Sequence, residues 1–206
     1  MSLGQLFVIS APSGAGKTSL VNAALADISN LAVSISHTTR IPRAGEIDGR
    51  DYHFVDHVTF KTLVDQNAMF EHAEVFGNFY GTSKQSVIAQ IDKGIDVVLE
   101  IDWQGAKQVR NLWPDAISIF ILPPTREALR NRLIDRNQDE DKVISVRMAE
   151  ADRTIDQAPN FDYWIINDDF EIALGELKSI FFAQRQKQVY VKTKYPQLLE
   201  KLLGHT

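Results

Sequence analysis

The sequence predicts an α/β protein with a central parallel sheet flanked by helices, wound on both sides, and three observations carry that prediction. Short apolar runs without strict alternation recur along the chain, as strands buried on both faces require. Longer helical patterns stand between them, the order that crossover connections produce. A glycine-rich turn follows the first run directly and opens a helix.

The runs are Leu6–Ser10, Leu31–Ser36, Asp96–Asp102, Ala116–Leu122 and Tyr163–Asn167, all read as buried strands. The helical patterns cover Thr18–Ile28, Ser83–Lys93, Trp103–Leu112, Arg126–Arg136, Asp141–Gln157 and Phe170–Val189. Residues 37–82 break the rhythm, being polar and rich in Gly, His, Arg and aromatics, with one helical piece near Val58–Gln66. Residues 126–157 set a polar hinge, NQDED, between two helices that carry six arginines, among them Arg132, Arg136 and Arg147. The expected division is a core at 1–36, 83–125 and 158–206, an inserted substrate lobe at 37–82 and a mobile lid at 126–157. After Pro196 the tail reads as a short amphipathic helix, suited either to the core or to a homo-oligomer contact.

Composition narrows the function. A chain of 206 residues suits one globular domain with an inserted lobe, and 44% hydrophobic with 24% charged residues speaks against disorder. A net charge of −5 lacks the basic surplus of proteins that grip nucleic-acid backbones. The absence of cysteine excludes disulfides, thiolate metal sites and cysteine nucleophiles. No apolar run approaches the roughly 18 residues of a membrane span, and MSLGQ lacks the basic start of a secretory signal. A soluble cytoplasmic protein is expected, with no membrane or nucleic-acid partner. The histidines His37, His53, His57, His72 and His205 show no metal-ligand spacing, and Trp103, Trp113 and Trp164 suit packing.

SAPSGAGKTSL, residues 10–20, nearly spells the phosphate loop G-x-x-x-x-G-K-[ST]. Its candidate cradle is Pro12, Ser13, Gly14, Ala15, Gly16, Lys17, Thr18 and Ser19. The glycines let backbone N–H groups crowd around phosphate oxygens, and the helix N-terminus adds partial positive charge. Lys17 can neutralise β- and γ-phosphates, and the Thr18 hydroxyl can ligate Mg²⁺. G-K-[ST] alone arises by chance in about one chain in ten of this length, so the strand before it and the helix after it decide. Ala11 stands where the pattern has its first glycine. A residue before proline is pushed into extended backbone, where a β-carbon is free of strain, so the loop is expected to be intact.

A phosphate loop does not name the acceptor. Arg40 and Arg43, followed by Tyr52 and Tyr80, could hold a second phosphate through fork-shaped guanidiniums and phenol donors. The same four residues equally suit a solvated surface, and composition leaves both readings open. A guanine edge presents N1–H and N2–H₂ donors beside an O6 acceptor. Glu71 can accept from both donors, with Ser36 and Thr82 as hydroxyls for the remaining edge, although a Glu beside apolar residues is more often an exposed strand residue. Asp102 closes a buried strand beside the phosphate loop, a place from which it can hold Mg²⁺-bound water. Glu100 on the same strand either reinforces the metal end or caps the sheet. The D-W-Q-G tetrad also fits GTPases, but no N-K-x-D appears in the chain.

Along almost its whole length the chain resembles guanylate kinases, the bacterial form in particular, through SAPSGAGKTSL, SISHTTRIPRAGEIDGRDYHF, FEHAEVFGNFYGTS, LEIDWQGAKQV, IFILPP and IINDD in that order. The resemblance implies the P-loop nucleoside-monophosphate kinase fold, with a GMP-binding lobe, a helical lid and Mg-dependent transfer from ATP to GMP in purine metabolism. It implies a GMP-phosphate site at Arg40, Arg43, Tyr52 and Tyr80, and guanine contacts from Ser36, Glu71, Thr82 and Asp102. It sets Arg132, Arg136 and Arg147 at the ATP phosphates, and Asn167 and Asp168 beside adenine. Three positions depart from the usual pattern: Ala11 for Gly, Asn137 for Gly at the lid hinge, and Glu100 for Asp. A guanylate-kinase-like scaffold without catalysis, or another P-loop small-molecule kinase, are the competing classes.

Overall fold

The computed structural model describes residues 3–75, 77–137 and 141–204, with backbone alone at 135–137 and 141–143. The Arg136 and Asn137 side chains, most of the NQDED hinge and His205 lie outside the described residues.

The first sheet contains β1 (Leu6–Ser10), β2 (Leu31–Val33), β7 (Asp96–Glu100), β8 (Ile117–Leu122) and β9 (Tyr163–Ile166). Its order is β2-β7-β1-β8-β9 and every pairing is parallel. Helices α1 (Lys17–Asp27) and α7 (Phe170–Arg185) cover one face, while α3 (Lys84–Ile91) and α4 (Trp103–Leu112) cover the other. Alternation along β1 explains the continuous apolar runs: Phe7 and Ile9 join the α1/α7 core, and Leu6 and Val8 the α3/α4 core. Each of these side chains is almost completely removed from water, a transfer worth about 2 kcal/mol apiece.

A second sheet occupies the inserted lobe, in the order β4-β3-β6-β5. It comprises β3 (His37–Thr38), β4 (His53–Phe54), β5 (Met69–Val75) and β6 (Asn78–Ser83), with α2 (His57–Asp65) beside it. The Asp56 carboxylate starts α2 by accepting from Thr59 N at 2.6 Å. Helices α5 (Arg126–Asn137) and α6 (Asp141–Ile155) share a small core of Leu129, Leu133, Ile144, Met148 and Ala151. The chain ends with α8 (Gln188–Lys194) and α9 (Leu198–Leu202), neither of which buries a residue.

Several expectations shift, each for a physical reason. The second strand stops at Val33 because β7 pairs with it only through Val98; the chain then leaves the sheet edge towards Ser36. The last strand is an edge rather than a buried strand, with Trp164 and Ile166 more than half exposed. Trp164 is therefore no core residue; its indole N–H donates to Ala158 O at 2.8 Å. The long helix expected to reach Val189 ends at Arg185. That side chain is tied back to Asp96 at 2.7 Å and to the carbonyls of Ser29 and Asn30, and no glycine or proline announces the break. Asp96 is buried and also accepts from Gln5 N at 2.8 Å, so it joins β1, β7 and α7. Asp96→Ala would strand the guanidinium, and urea denaturation is expected to show a loss of about 3 kcal/mol.

Candidate active site

The phosphate loop runs from the end of β1 to the start of α1. Ala15 N donates to Pro12 O at 3.1 Å, closing the turn. Gly14 and Gly16 have φ of 89° and 91°, which side-chain-bearing residues rarely adopt. Ala11 is not among the non-glycine residues of positive φ, and its methyl packs on the α1/α7 core. The missing first glycine therefore leaves the loop intact.

Two other elements hold this loop. Asn167, buried at the end of β9, donates Nδ2 to Ala15 O at 2.7 Å. Leu129 and Leu133 of α5 lie over Gly14, where an added β-carbon would come within 3.1 Å of Leu133. Arg132 of α5 donates Nη2 to Asn167 O at 2.9 Å. Its Nη1 is buried without a hydrogen-bond partner, and the side chain lines a 440 Å³ cleft with Ser13, Gly14, Gly16, Lys17 and Thr18. Arg147 is half-buried on α6, and Asp168 is exposed after β9.

A second cleft of 500 Å³ opens on the other side of Lys17. Ser36, Tyr52, Glu71, Tyr80, Glu100 and Asp102 line it, together with the Ala11, Ser13 and Lys17 that also line the first. Thr82 stands behind Glu71, its hydroxyl donating to Oε1 at 2.6 Å. The rings of Tyr52 and Tyr80 lie 6.0 Å apart, and the Arg40 guanidinium stacks over Tyr52 at 5.4 Å. Arg40 reaches Glu46 Oε1 at 2.8 Å, and the Arg43 N–H donates to Glu46 Oε2 at 2.7 Å. Arg43 itself points its side chain into solvent at the lobe surface. Glu46 was missed in the sequence, where its only signal was an acidic residue inside an arginine-bearing loop. Its carboxylate orders the Arg40 side chain and the Arg43 backbone.

The acidic pair divides its work. Thr18 Oγ1 donates to Glu100 Oε2 at 3.0 Å, so Glu100, not Asp102, stands at the hydroxyl. Asp102 caps α4 by accepting from Gly105 N at 2.8 Å, while remaining on the wall of the second cleft. Asn167 likewise appears as a brace under the loop, a role that its sequence context did not disclose.

The sequence model of the guanylate kinase family matches residues 4–184. A guanylate kinase of Saccharophagus degradans is 56% identical over 201 residues, 98% of each chain. One of Psychrobacter arcticus is 55% identical over 202 residues, 98% of this chain and 97% of that one. The chain belongs to the guanylate kinase family. Its fold also superposes on the crystal structure of guanylate kinase from Anaplasma phagocytophilum, with a TM-score of 0.77 and 36% identity over 97% of this chain and 95% of the other.

Within this family member the electrostatics centre on Lys17 and Glu71. Burial pulls the Lys17 pKa down, and the charges of Glu100, Asp102 and Glu71 oppose that pull. Burial also raises the Glu71 carboxyl from the usual 4.5 to about 7, against the Thr82 hydrogen bond and with help from Asp102. The folded chain thus keeps a proton that the unfolded chain releases, and stability falls as pH climbs between those two values. Glu71→Gln keeps the acceptor for Thr82 and removes the titration. Urea unfolding without nucleotide is expected to show no change near pH 4 and a gain of up to about 3 kcal/mol above pH 7.

Proposed function

We propose that this chain transfers the γ-phosphoryl group of ATP to GMP, giving ADP and GDP, with ATP on the phosphate-loop cleft and GMP in the second. One observation carries the proposal: Lys17 lines both clefts, so two nucleotide anions bound there meet at a shared cation. The acceptor is already an anionic phosphate and needs no strong base. The barrier lies in bringing two polyanions into line, a matter of positioning and charge.

On the donor side, Pro12 to Ser19 cradle the phosphates and Lys17 neutralises them. Arg132, with an unpartnered Nη1, is the lid cation already beside the loop; Arg136 and Arg147 are its proposed companions. Asn167 and Asp168 flank the adenine end, with Asn167 acting through its grip on Ala15. On the acceptor side, Tyr52, Tyr80 and Arg40 form one stacked group for the GMP phosphate, and Arg43 closes from the surface loop. Glu71 accepts from guanine N1–H and N2–H₂, while Ser36, Thr82 and Asp102 complete the base site.

The Thr18 hydroxyl and Glu100 carboxylate supply hard oxygen donors 3.0 Å apart beside the phosphate loop, a set that fits Mg²⁺. Asp102 would hold a metal-bound water from the neighbouring wall. When bound, the ion offsets charge on the β- and γ-phosphates. A cytoplasmic role in purine nucleotide metabolism accords with this reading, and no described helix is long and apolar enough to cross a membrane. A second copy of the chain is the candidate macromolecular partner, because α9 exposes Leu198, Leu199 and Leu202.

An ADP-release assay over a panel of nucleoside monophosphates tests the proposal. GMP is expected to exceed AMP by at least about 10³ in kcat/KM, since adenine lacks the 2-amino group and carries a donor at position 6. Comparable rates with AMP would defeat the assignment of Glu71. Lys17→Ala is expected to lower kcat about 10³-fold or more with an unchanged melting temperature, and near-normal turnover would remove the lysine from the mechanism.

A further inference from the structure

The D-W-Q-G-A-K-Q stretch at 102–108 begins with the Asp102 cap and carries a glycine inside the first turn of α4. We infer that Gly105 is a specificity-determining position, seating the Glu71 carboxylate in the space a side chain would fill and so setting where the guanine edge is read. This rests on the proposal that Glu71 reads guanine.

Backbone conformation does not demand glycine here. Gly105 lies inside the first turn of α4 and is absent from the glycines of positive φ. Alanine would favour the helix, so the glycine weakens α4 locally and calls for another cause. That cause is space. An added β-carbon would lie 2.8 Å from Glu71 Oε2 and 3.3 Å from both its Cδ and its Cγ.

Glu71 has little freedom to retreat. It is buried, and its other oxygen is held by Thr82 Oγ1 at 2.6 Å. The backbone beside it is pinned as well. Gln108 donates Nε2 to His72 O at 2.9 Å and accepts from His72 N at 3.1 Å, strapping β5 onto α4. From the other end Asp102 fixes Gly105 by accepting its N–H at 2.8 Å. The three residues at positions 102, 105 and 108 therefore make one platform: a cap, a seat and a strap. A methyl group on the seat moves the carboxylate out of register with the two guanine donors.

Equilibrium binding of GMP and inosine monophosphate, which lacks the 2-amino group, separates this from a general packing role. Gly105→Ala is expected to weaken GMP binding about tenfold or more and inosine monophosphate binding only a few-fold, so the preference between them shrinks. The KM for ATP should hold. Adding Glu71→Asp, one methylene shorter, should cost far less in the Gly105→Ala protein than in the parent, because the shorter side chain relieves the overlap that the methyl creates. A preference unchanged within twofold, or additive effects of the two substitutions, overturns the inference. If Gly105→Ala does not fold alone, the double variant should restore folding, and its failure to do so also overturns it. Glu71→Gln in the parent distinguishes the premise: if it leaves the preference intact, the base-reading role itself fails. If Glu71→Gln abolishes the preference while Gly105→Ala does not, only the seat is lost.

Discussion

The active site depends on a half-buried lysine held at the junction of two clefts and faced by three carboxylates. Burial alone would favour neutral Lys17, and the opposing charges come from three separate places. Glu100 ends a core strand, Asp102 caps a helix and Glu71 belongs to the lobe sheet. Core and lobe therefore both oppose the effect of burial on the lysine, the core through Glu100 and Asp102 and the lobe through Glu71. Two nucleotide phosphates entering from either side would meet that charge without competing for separate cations.

Around this point the rigid parts are linked by a few polar contacts between elements. Asn167 ties the last strand to the phosphate loop, and its carbonyl receives Arg132 from α5. Gln108 ties α4 to β5 through both backbone groups of His72. Hydrogen bonds of this kind fix geometry more than they add net stability, because each exchanges water partners for protein ones. The phosphate loop, α5 and β5 thus share a common frame while their own cores remain separate.

The acceptor side is less tightly built. Arg40 lies over the Tyr52 and Phe54 rings and is held by Glu46, whereas the Arg43 side chain stays at the surface. A phosphate arriving between Tyr52 and Tyr80 would meet a guanidinium already oriented by a carboxylate, at the cost of sharing its charge. Such pre-ordering lowers the entropy lost on binding.

Periodicity and motif made the parallel sheet, its alternating helices and the phosphate loop legible, because each is dictated by local rules: burial on both faces of β1, and glycines at φ near 90°. Trp103–Leu112 is bounded as α4 in both the pattern and the fold, since Asp102 supplies a cap readable in the chain. The lobe sheet escaped the pattern, as two of its strands are only two residues long and exist through pairing. The break after Arg185 escaped it too, since the cause is an ion pair with a residue 89 positions away. The amino-acid order determined which groups were available: a loop lysine, paired arginines and tyrosines, a carboxylate near a threonine. Tertiary structure alone decided their partners, placing Glu100 at Thr18, Asn167 under Ala15 and Gly105 beneath Glu71. Contacts across dozens of residues depend on how elements pack, and no local spacing encodes that distance.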